Sequence, residues 1–382
     1  MKDIFQCSSI LKDDSIRHAV GGANLGRSEE MEDKKSIEIK YDHNLEEQKR
    51  PKVEVELEKG KKEVFNLEQL KSGGYIRQRQ KDLFTVRLRC PGGRVPLEKL
   101  KKIAEVAPKY SKKDYVHISV RQSIEIPYVH YQDFAKLSED LAKAGQKVAS
   151  CGPRVRVPTA CSGCEYNPNG LVDVQKLCQE IDQKYFGIQC NHKFKISLSG
   201  CPIDCFRTNE MDLGFQGAVE PLWDEDACTG CRICGYACKE GALTNDPQTG
   251  KPTIDISKCL YCADCIRACP TSSWKEGRKG LVVRIGGRHG RHPVNGSLIA
   301  VFLPENKMGE VIEKVIEWYN DRGKGRGRVR IGDLLMEKWQ DFVNFIKPVL
   351  GEYALANSER PKFNKIHSFQ TGWMPENPAI EA

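Results

Sequence analysis

The stretch Cys201-Pro202-Ile203-Asp204-Cys205 follows a run, Lys193 to Ser199, that reads as a strand. Two thiols four residues apart in that setting look like half of an iron–sulfur ligand set, and Cys161 and Cys164 look like the other half. The rest of the chain is organised around that site. Cations precede it, two further cysteine runs follow it, and a glycine- and arginine-rich segment comes after those.

The chain has 382 residues and 17 cysteines. Their tight Cys-x-x-Cys spacing suits thiolate metal ligation better than structural disulfides. Cys228-x2-Cys231-x2-Cys234-x3-Cys238 and Cys259-x2-Cys262-x2-Cys265-x3-Cys269-Pro270 are two copies of the bacterial ferredoxin run. In that arrangement three cysteines of a run grip one iron–sulfur cube and the fourth reaches across to the other. Cys228, Cys231, Cys234 and Cys269 are therefore expected on one 4Fe-4S cluster, and Cys259, Cys262, Cys265 and Cys238 on the second. Zinc ribbons space their pairs farther apart and do not run four ligands in this way. Lys239 stands where proline usually follows the fourth cysteine, a change that leaves ligation intact and bears on hydrogen bonding to the sulfurs. No hydrolytic or nucleotide motif lies nearby, so the two cubes are expected to move single electrons. Cys7, Cys90, Cys151, Cys178 and Cys190 read as small buried hydrophobes, and His117 and His192 as ordinary polar residues.

An apolar content of 39% is ordinary for a water-soluble protein with two or three cores. No apolar run approaches the ~18 residues of a membrane span, and Met1-Lys2-Asp3 does not open a secretory signal, so a cytoplasmic location is expected. The formal charge of +8 comes without a long Lys/Arg run interleaved with aromatics. That pattern favours a polyanionic small ligand over nucleic acid.

Residues 1–65 are strongly charged and poor in apolar side chains, an extension with one hairpin arm where Val53, Val55 and Leu57 alternate with glutamates. From Phe84 the order is strand (84–90), helix (96–107, stopped by Pro108), strand (115–120), strand (123–126) and helix (131–144). That is a ferredoxin-like α+β half-domain over residues 66–148. A second domain, residues 149–217 and 274–350, carries a strand at 154–157, the first cysteine pair, a helix at 171–185, the strand before Cys201, strands at 281–285 and 297–302, and helices at 308–319 and 333–345. Residues 218–273 form a cysteine-dense insert, and 351–382 a polar C-terminal arm.

Cations recur at i, i+2 along the expected strands: Arg87 and Arg89, Arg154 and Arg156, Lys193 and Lys195. Alternation puts each pair on one face, with Val86 and Leu88, Val155 and Val157, or Phe194 and Ile196 on the other. With Arg121, they would converge on a cationic cavity. The stretches Phe84–Arg89, His117–Gln122, Cys151–Arg156, His192–Lys195, Gly200–Cys205 and Gly286–Pro293 resemble siroheme sulfite and nitrite reductases. With the double ferredoxin insert, the chain is similar to the catalytic subunit of anaerobic or dissimilatory-like sulfite reductases over residues 66–350.

That resemblance implies an α+β sulfite reductase-type fold with a ferredoxin-like half-domain, a siroheme and 4Fe-4S domain and an inserted double-cluster ferredoxin domain. It implies a siroheme whose iron shares the Cys205 sulfur with a third cube held by Cys161, Cys164, Cys201 and Cys205. Arg121, Arg156, Lys193 and Lys195 would hold sulfite, and Arg87, Arg89, Arg154, Arg288 and Arg291 the siroheme carboxylates. The family's Cys-x5-Cys would put a ligand at position 167, which is Asn167 here. Either Cys164 replaces it or the cube is incomplete. The expected reaction is six-electron reduction of sulfite to sulfide, with nitrite reduction and a non-catalytic electron-transfer subunit as alternatives. No flavin or nucleotide fingerprint is visible, so the donor is expected on another polypeptide or a soluble ferredoxin, with an oligomeric assembly and neither nucleic acid nor a membrane span.

Overall fold

The computed structural model describes residues 53–57, 61–65 and 67–363. The expected hairpin is present as β1 (Val53–Leu57) and β2 (Lys61–Phe65), antiparallel with Val53 opposite Phe65. The other expectations for residues 1–65, and those for 364–382, lie outside the described residues.

After α1 (Leu67–Ser72) come β3 (Tyr75–Arg77), β4 (Leu83–Arg87), α2 (Leu97–Tyr110), β5 (His117–Ile118), β6 (Ile124–His130) and α3 (Phe134–Lys143). The strands form an antiparallel sheet in the order β3-β4-β6-β5. Val86, Leu88, Ile126 and Val129 from the strands bury against Ile103, Val106, Leu137 and Leu141 from the two helices. Helix α2 runs on past Pro108, which sits in its last turn, where Ser111 N–H still closes on the Ala107 carbonyl. The expected strand 115–120 shortens to β5. Gln122 turns to φ 59° and donates its N–H to the Ser119 carbonyl, so the chain folds back at Arg121.

The second module begins with β7 (Thr159–Ala160), α4 (Val174–Tyr185), β8 (Ile196–Ser199) and β9 (Leu213–Trp223). Strands β7, β8 and β9 run parallel. Beyond β9 lie α5 (Ile233–Ala237), the β10 (Leu243–Asn245) and β11 (Pro252–Ile254) hairpin, and α6 (Asp264–Ala268), before β12 (Trp274–Ile285) returns antiparallel to β9. The cysteine runs therefore ride on the far end of one long β-ribbon, where Trp223 faces Trp274. The chain continues through β13 (Val294–Asn295), β14 (Ser297–Leu303), α7 (Met308–Gly323), α8 (Ile331–Glu337), α9 (Trp339–Leu350) and β15 (Lys362–Phe363). The sheet order is β14-β12-β9-β8-β7.

Strand β8 is buried at all four residues, as a central strand covered on both faces should be. Its two serines serve the loop that follows. Ser197 Oγ donates to the Phe206 carbonyl at 2.6 Å, and Ser199 Oγ accepts from Phe206 N–H at 3.2 Å, which ties the Cys201–Cys205 loop to the sheet. Helix α7 covers the sheet with Val311, Ile312, Val315, Trp318 and Tyr319, all buried. Each such side chain contributes roughly 1.5–3 kcal/mol.

Several elements depart from expectation. Segment 154–157 is not a sheet strand; it makes isolated bridges, Arg154 to Gln189 and Val155 to Phe194. Helix α4 starts at Val174 because Asp173 caps it, accepting from Lys176 N–H at 3.0 Å. The expected helix 333–345 is two helices broken at Lys338, whose ψ of 36° leaves the helical range. The polar C-terminal arm is not free throughout, since β15 pairs with β13 and Pro361 is buried. Among the described residues, no helix is long and apolar enough to cross a membrane.

Candidate active site

The alternation expected of the cationic strands holds: Val86, Leu88, Val155 and Phe194 are fully buried, and the charged neighbours face away from the core. Arg87, Arg121, Arg154, Arg156, Lys193 and Lys195 line one cavity of about 980 Å³. They arrive from β4, the β5–β6 turn, the extended segment after Cys151 and the run into β8. No acidic side chain lines the cavity among the described residues.

Burial, and after it the crowding of positive charge, weakens the hold of these cations on their protons. Burial, then the Arg156 charge, pushes Arg121 down to about 10. Burial, then the Arg121 charge, pushes Lys195 down to about 8, and Lys193 is lowered by burial and by Arg330. Each cation discourages its neighbours from staying protonated, a tension that a bound anion relieves. Arg121 is aimed by its Nη2 bond to the Val157 carbonyl at 2.7 Å, and Arg87 by its Nε bond to Glu125 at 2.7 Å.

The buried Nε atoms of Arg154 and Arg156 and the buried Ser150 hydroxyl have no partner. Buried donors are nearly always satisfied in a complete site, so these fit a ligand rich in carboxylates. A carboxylate-bearing tetrapyrrole therefore fits the residues present.

Arg89 does not join the cavity. Its Nε donates to Asp182 at 2.8 Å and its guanidinium stacks 3.9 Å over Phe186, so α4 claims it. Arg288 pairs with Asp333 at 2.6 Å, Arg291 is exposed, and neither lines the cavity. Sequence reasoning missed Asp212 and Arg330. Asp212 is 1% exposed. It accepts Lys195 N–H at 2.9 Å and two bonds from Arg330 at 3.2 and 2.7 Å. An acidic residue directly before an apolar strand was the available signal for Asp212; Arg330 had none.

The backbone turns that carry the cysteines near β8 approach one another closely. Cys161 Sγ accepts from Gly163 N–H at 3.3 Å and from Gly200 N–H at 3.0 Å. A Cβ on Gly200 would stand 2.8 Å from Gly163 Cα, and one on Gly170 would stand 2.5 Å from Cys164 N, so both positions require glycine. Burial pushes the Cys201 thiol up, with Cys161 and Cys205 adding to it as neighbouring negative charges. Cys164 and Cys205 are exposed. Asn167 serves a turn: its Oδ1 accepts from Asn169 N–H at 3.0 Å and its carbonyl from Gly170 N–H at 2.8 Å.

In the insert the two runs adopt one backbone shape. Gly230 and Tyr261, then Arg232 and Ala263, all have positive φ at matching steps after Cys228 and Cys259. Such turns direct N–H groups inward, as Tyr261 N–H does to Cys259 Sγ at 3.4 Å. Cys238, Cys259, Cys262 and Cys265 surround one small cavity; Cys228, Cys231, Cys234 and Cys269 surround another. None of the described cysteines is in a disulfide, and no three His, Cys, Asp or Glu side chains among the described residues could share a single ion.

Residues 151–352 match the nitrite and sulphite reductase 4Fe-4S domain, and residues 76–144 match the nitrite/sulfite reductase ferredoxin-like half domain. The chain belongs to the siroheme sulfite and nitrite reductase family, oxidoreductases that bind siroheme and a 4Fe-4S cluster. It is 29% identical over 319 residues to the coenzyme F420-dependent sulfite reductase of Methanocaldococcus jannaschii, covering 81% of this chain and 51% of that protein, about half of its length. It is 25% identical to one of the anaerobic sulfite reductase subunits of Salmonella typhimurium, covering 63% of this chain and 76% of that one. The fold is similar to the crystal structure of dissimilatory sulfite reductase I, with a TM-score of 0.59 at 19% identity, covering 78% of this chain and 77% of that one.

Proposed function

We propose that this chain reduces sulfite to sulfide at a bound siroheme, with electrons delivered through two ferredoxin-type 4Fe-4S clusters. The observation that carries this reading is the convergence of Arg121, Arg156, Lys193 and Lys195 on one cavity with no acidic side chain among its described lining residues. The chemistry siroheme supplies is electron delivery at its iron.

This chain's own residues do the rest. Arg87 and Arg154 would hold the tetrapyrrole carboxylates, using the buried Nε that otherwise has no partner at Arg154. Arg121 and Arg156 are fixed charges that bind and orient the anion. Reduction of sulfite takes up six electrons and releases its three oxygens as water, so each leaving oxygen must be given two protons. Lys195, held near 8, gives up a proton more readily than an ordinary lysine and regains it near neutral pH. Cys161, Cys164, Cys201 and Cys205 would hold the third cube, with Cys164 taking the place left by Asn167. The insert holds the other two clusters in the crossed arrangement, and a donor protein or soluble ferredoxin feeds them.

Nitrite reduction to ammonia uses the same cofactors, and the family includes both activities. A non-catalytic electron-transfer subunit is the reading that Asn167 would favour. Anaerobically purified protein, chemically reduced and offered each anion, separates the three: sulfide formed with higher kcat/KM than ammonia supports the proposal. Preference for nitrite, or no turnover of either anion by pigmented protein, contradicts it.

A further inference from the structure

Lys195 is fixed by something other than its own strand. It precedes β8, and its backbone N–H goes to a side chain instead of a neighbouring strand: Asp212 Oδ2, at 2.9 Å. The Lys195 carbonyl accepts Leu213 N–H at 3.1 Å, so both sides of the residue are pinned to the start of β9. Asp212 is buried, and its other oxygen takes Arg330 Nη2 at 2.7 Å and Nε at 3.2 Å. Arg330 is the residue before α8 and lies 118 positions away in sequence. A buried carboxylate is costly without partners, and Arg330 and the Lys195 backbone N–H are the partners that hold Asp212 in place.

We propose that Asp212, held by Arg330, is a positioning residue for Lys195: it fixes the lysine backbone and supplies the negative charge that keeps the ammonium protonated. This rests on the reading of Lys195 as the residue that gives protons to the bound anion. The charged groups facing Lys195 are Arg121 from the β5–β6 turn, Asp212 before β9, Arg330 before α8, and Lys193 on its own segment. Three of these four are cations, and only Asp212 opposes them. Arg87, Arg154, Arg156, His192 and Arg328 line the same cavity and carry no negative charge. Without Asp212, the lysine beside Arg121 would lose its proton at lower pH, and the cavity would lose one of its donors where the anion must be held.

The pair makes predictions of opposite sign. Asp212→Asn preserves shape and an acceptor for Lys195 N–H but removes the charge, so the Lys195 midpoint falls by roughly one unit or more. Arg330→Gln removes a cation and leaves the carboxylate, so the midpoint rises. Asp212→Glu keeps the charge and leaves the midpoint near its starting value. The midpoint is read directly from the acylation rate of the Lys195 amine against pH, by peptide mass spectrometry, in the full-length chain with and without siroheme. The high-pH limb of kcat/KM for sulfite, measured on pigmented protein, should move in step, about tenfold in rate for each unit above the midpoint.

Opposite shifts in Asp212→Asn and Arg330→Gln establish the proposal. An unmoved midpoint in both, with only melting temperature lowered, makes the pair scaffold and overturns it. If Asp212→Asn does not fold, Arg330→Gln decides alone; if neither folds, the pair is scaffold and the proposal falls. Labelling does not depend on turnover. Shifted midpoints in a protein that reduces neither anion would sink the sulfite reading and leave the charge pair standing.

Discussion

Replacing Arg89 with methionine should destabilise the fold and leave siroheme binding intact. The side chain is 16% exposed and its partner Asp182 is 7% exposed, so the pair is largely shielded from water. Its Nε and Nη2 donate to Asp182 Oδ2 at 2.8 Å and to the Asp182 carbonyl at 2.7 Å, and the guanidinium covers the Phe186 ring. Burial already pushes the Asp182 carboxyl up, with Arg89 as the strongest influence in the other direction. Removing the arginine alone leaves an uncompensated buried carboxylate, a loss of about 3–5 kcal/mol. At about 2 °C per kcal/mol for a large domain, the melting temperature should drop by roughly 6–10 °C. Thermal melts of anaerobically purified protein, with absorption recorded at the pigment band, measure both quantities. Adding Asp182→Leu to Arg89→Met should recover most of the loss, because no charge then remains buried. A drop below about 1 kcal/mol, or loss of pigment at unchanged melting temperature, would show that Arg89 serves the cofactor after all.

Lys195→Ala should lower sulfite turnover about a hundredfold or more, as loss of one fixed donor to a developing charge does, while the pigment stays bound; unchanged turnover removes Lys195 from the site. Lys195 ionises at about 8 in the folded chain against the ordinary 10.5. The unfolded chain therefore binds the extra proton between those values, and this lysine makes stability rise with pH across that window. Urea melts of cofactor-free protein at both ends of the window should show a smaller rise in Lys195→Met than in the parent; an equal rise would be evidence against the burial argument. Cys238→Ala should cost the cube of the second run, because Cys238 shares its cavity with Cys259, Cys262 and Cys265. Iron counting and electron paramagnetic resonance would detect loss of the other cube instead, which would mean each run binds its own.

Local signals in this chain were legible where one residue type answers one physical need. The double Cys run specifies its own turns, and the i, i+2 cations sort from the valines and phenylalanine between them, because side-chain direction alternates in any extended segment. The half-domain was legible for the same reason, with Ile103, Val106, Leu137 and Leu141 at helical spacing. What was not legible depended on distant partners. Arg87 and Arg89 share a face, yet one meets the cavity and the other meets Asp182, a residue of α4 that no local pattern pairs with it. Arg330 and Asp212 are separated by the whole cysteine insert and come together only when α8 docks beside β9. Segment 154–157 carried a strand pattern but bonds to Gln189 and Phe194 through isolated bridges, since its neighbours are loops. The break at Lys338 left no mark in apolar spacing, which continues across it.

The most direct measurement is extraction of pigment and determination of iron in protein purified without oxygen. The account predicts a chlorin-type band in the red region, siroheme iron and three 4Fe-4S clusters per chain. Two clusters per chain with no such band would contradict it and leave only the ferredoxin-type wire.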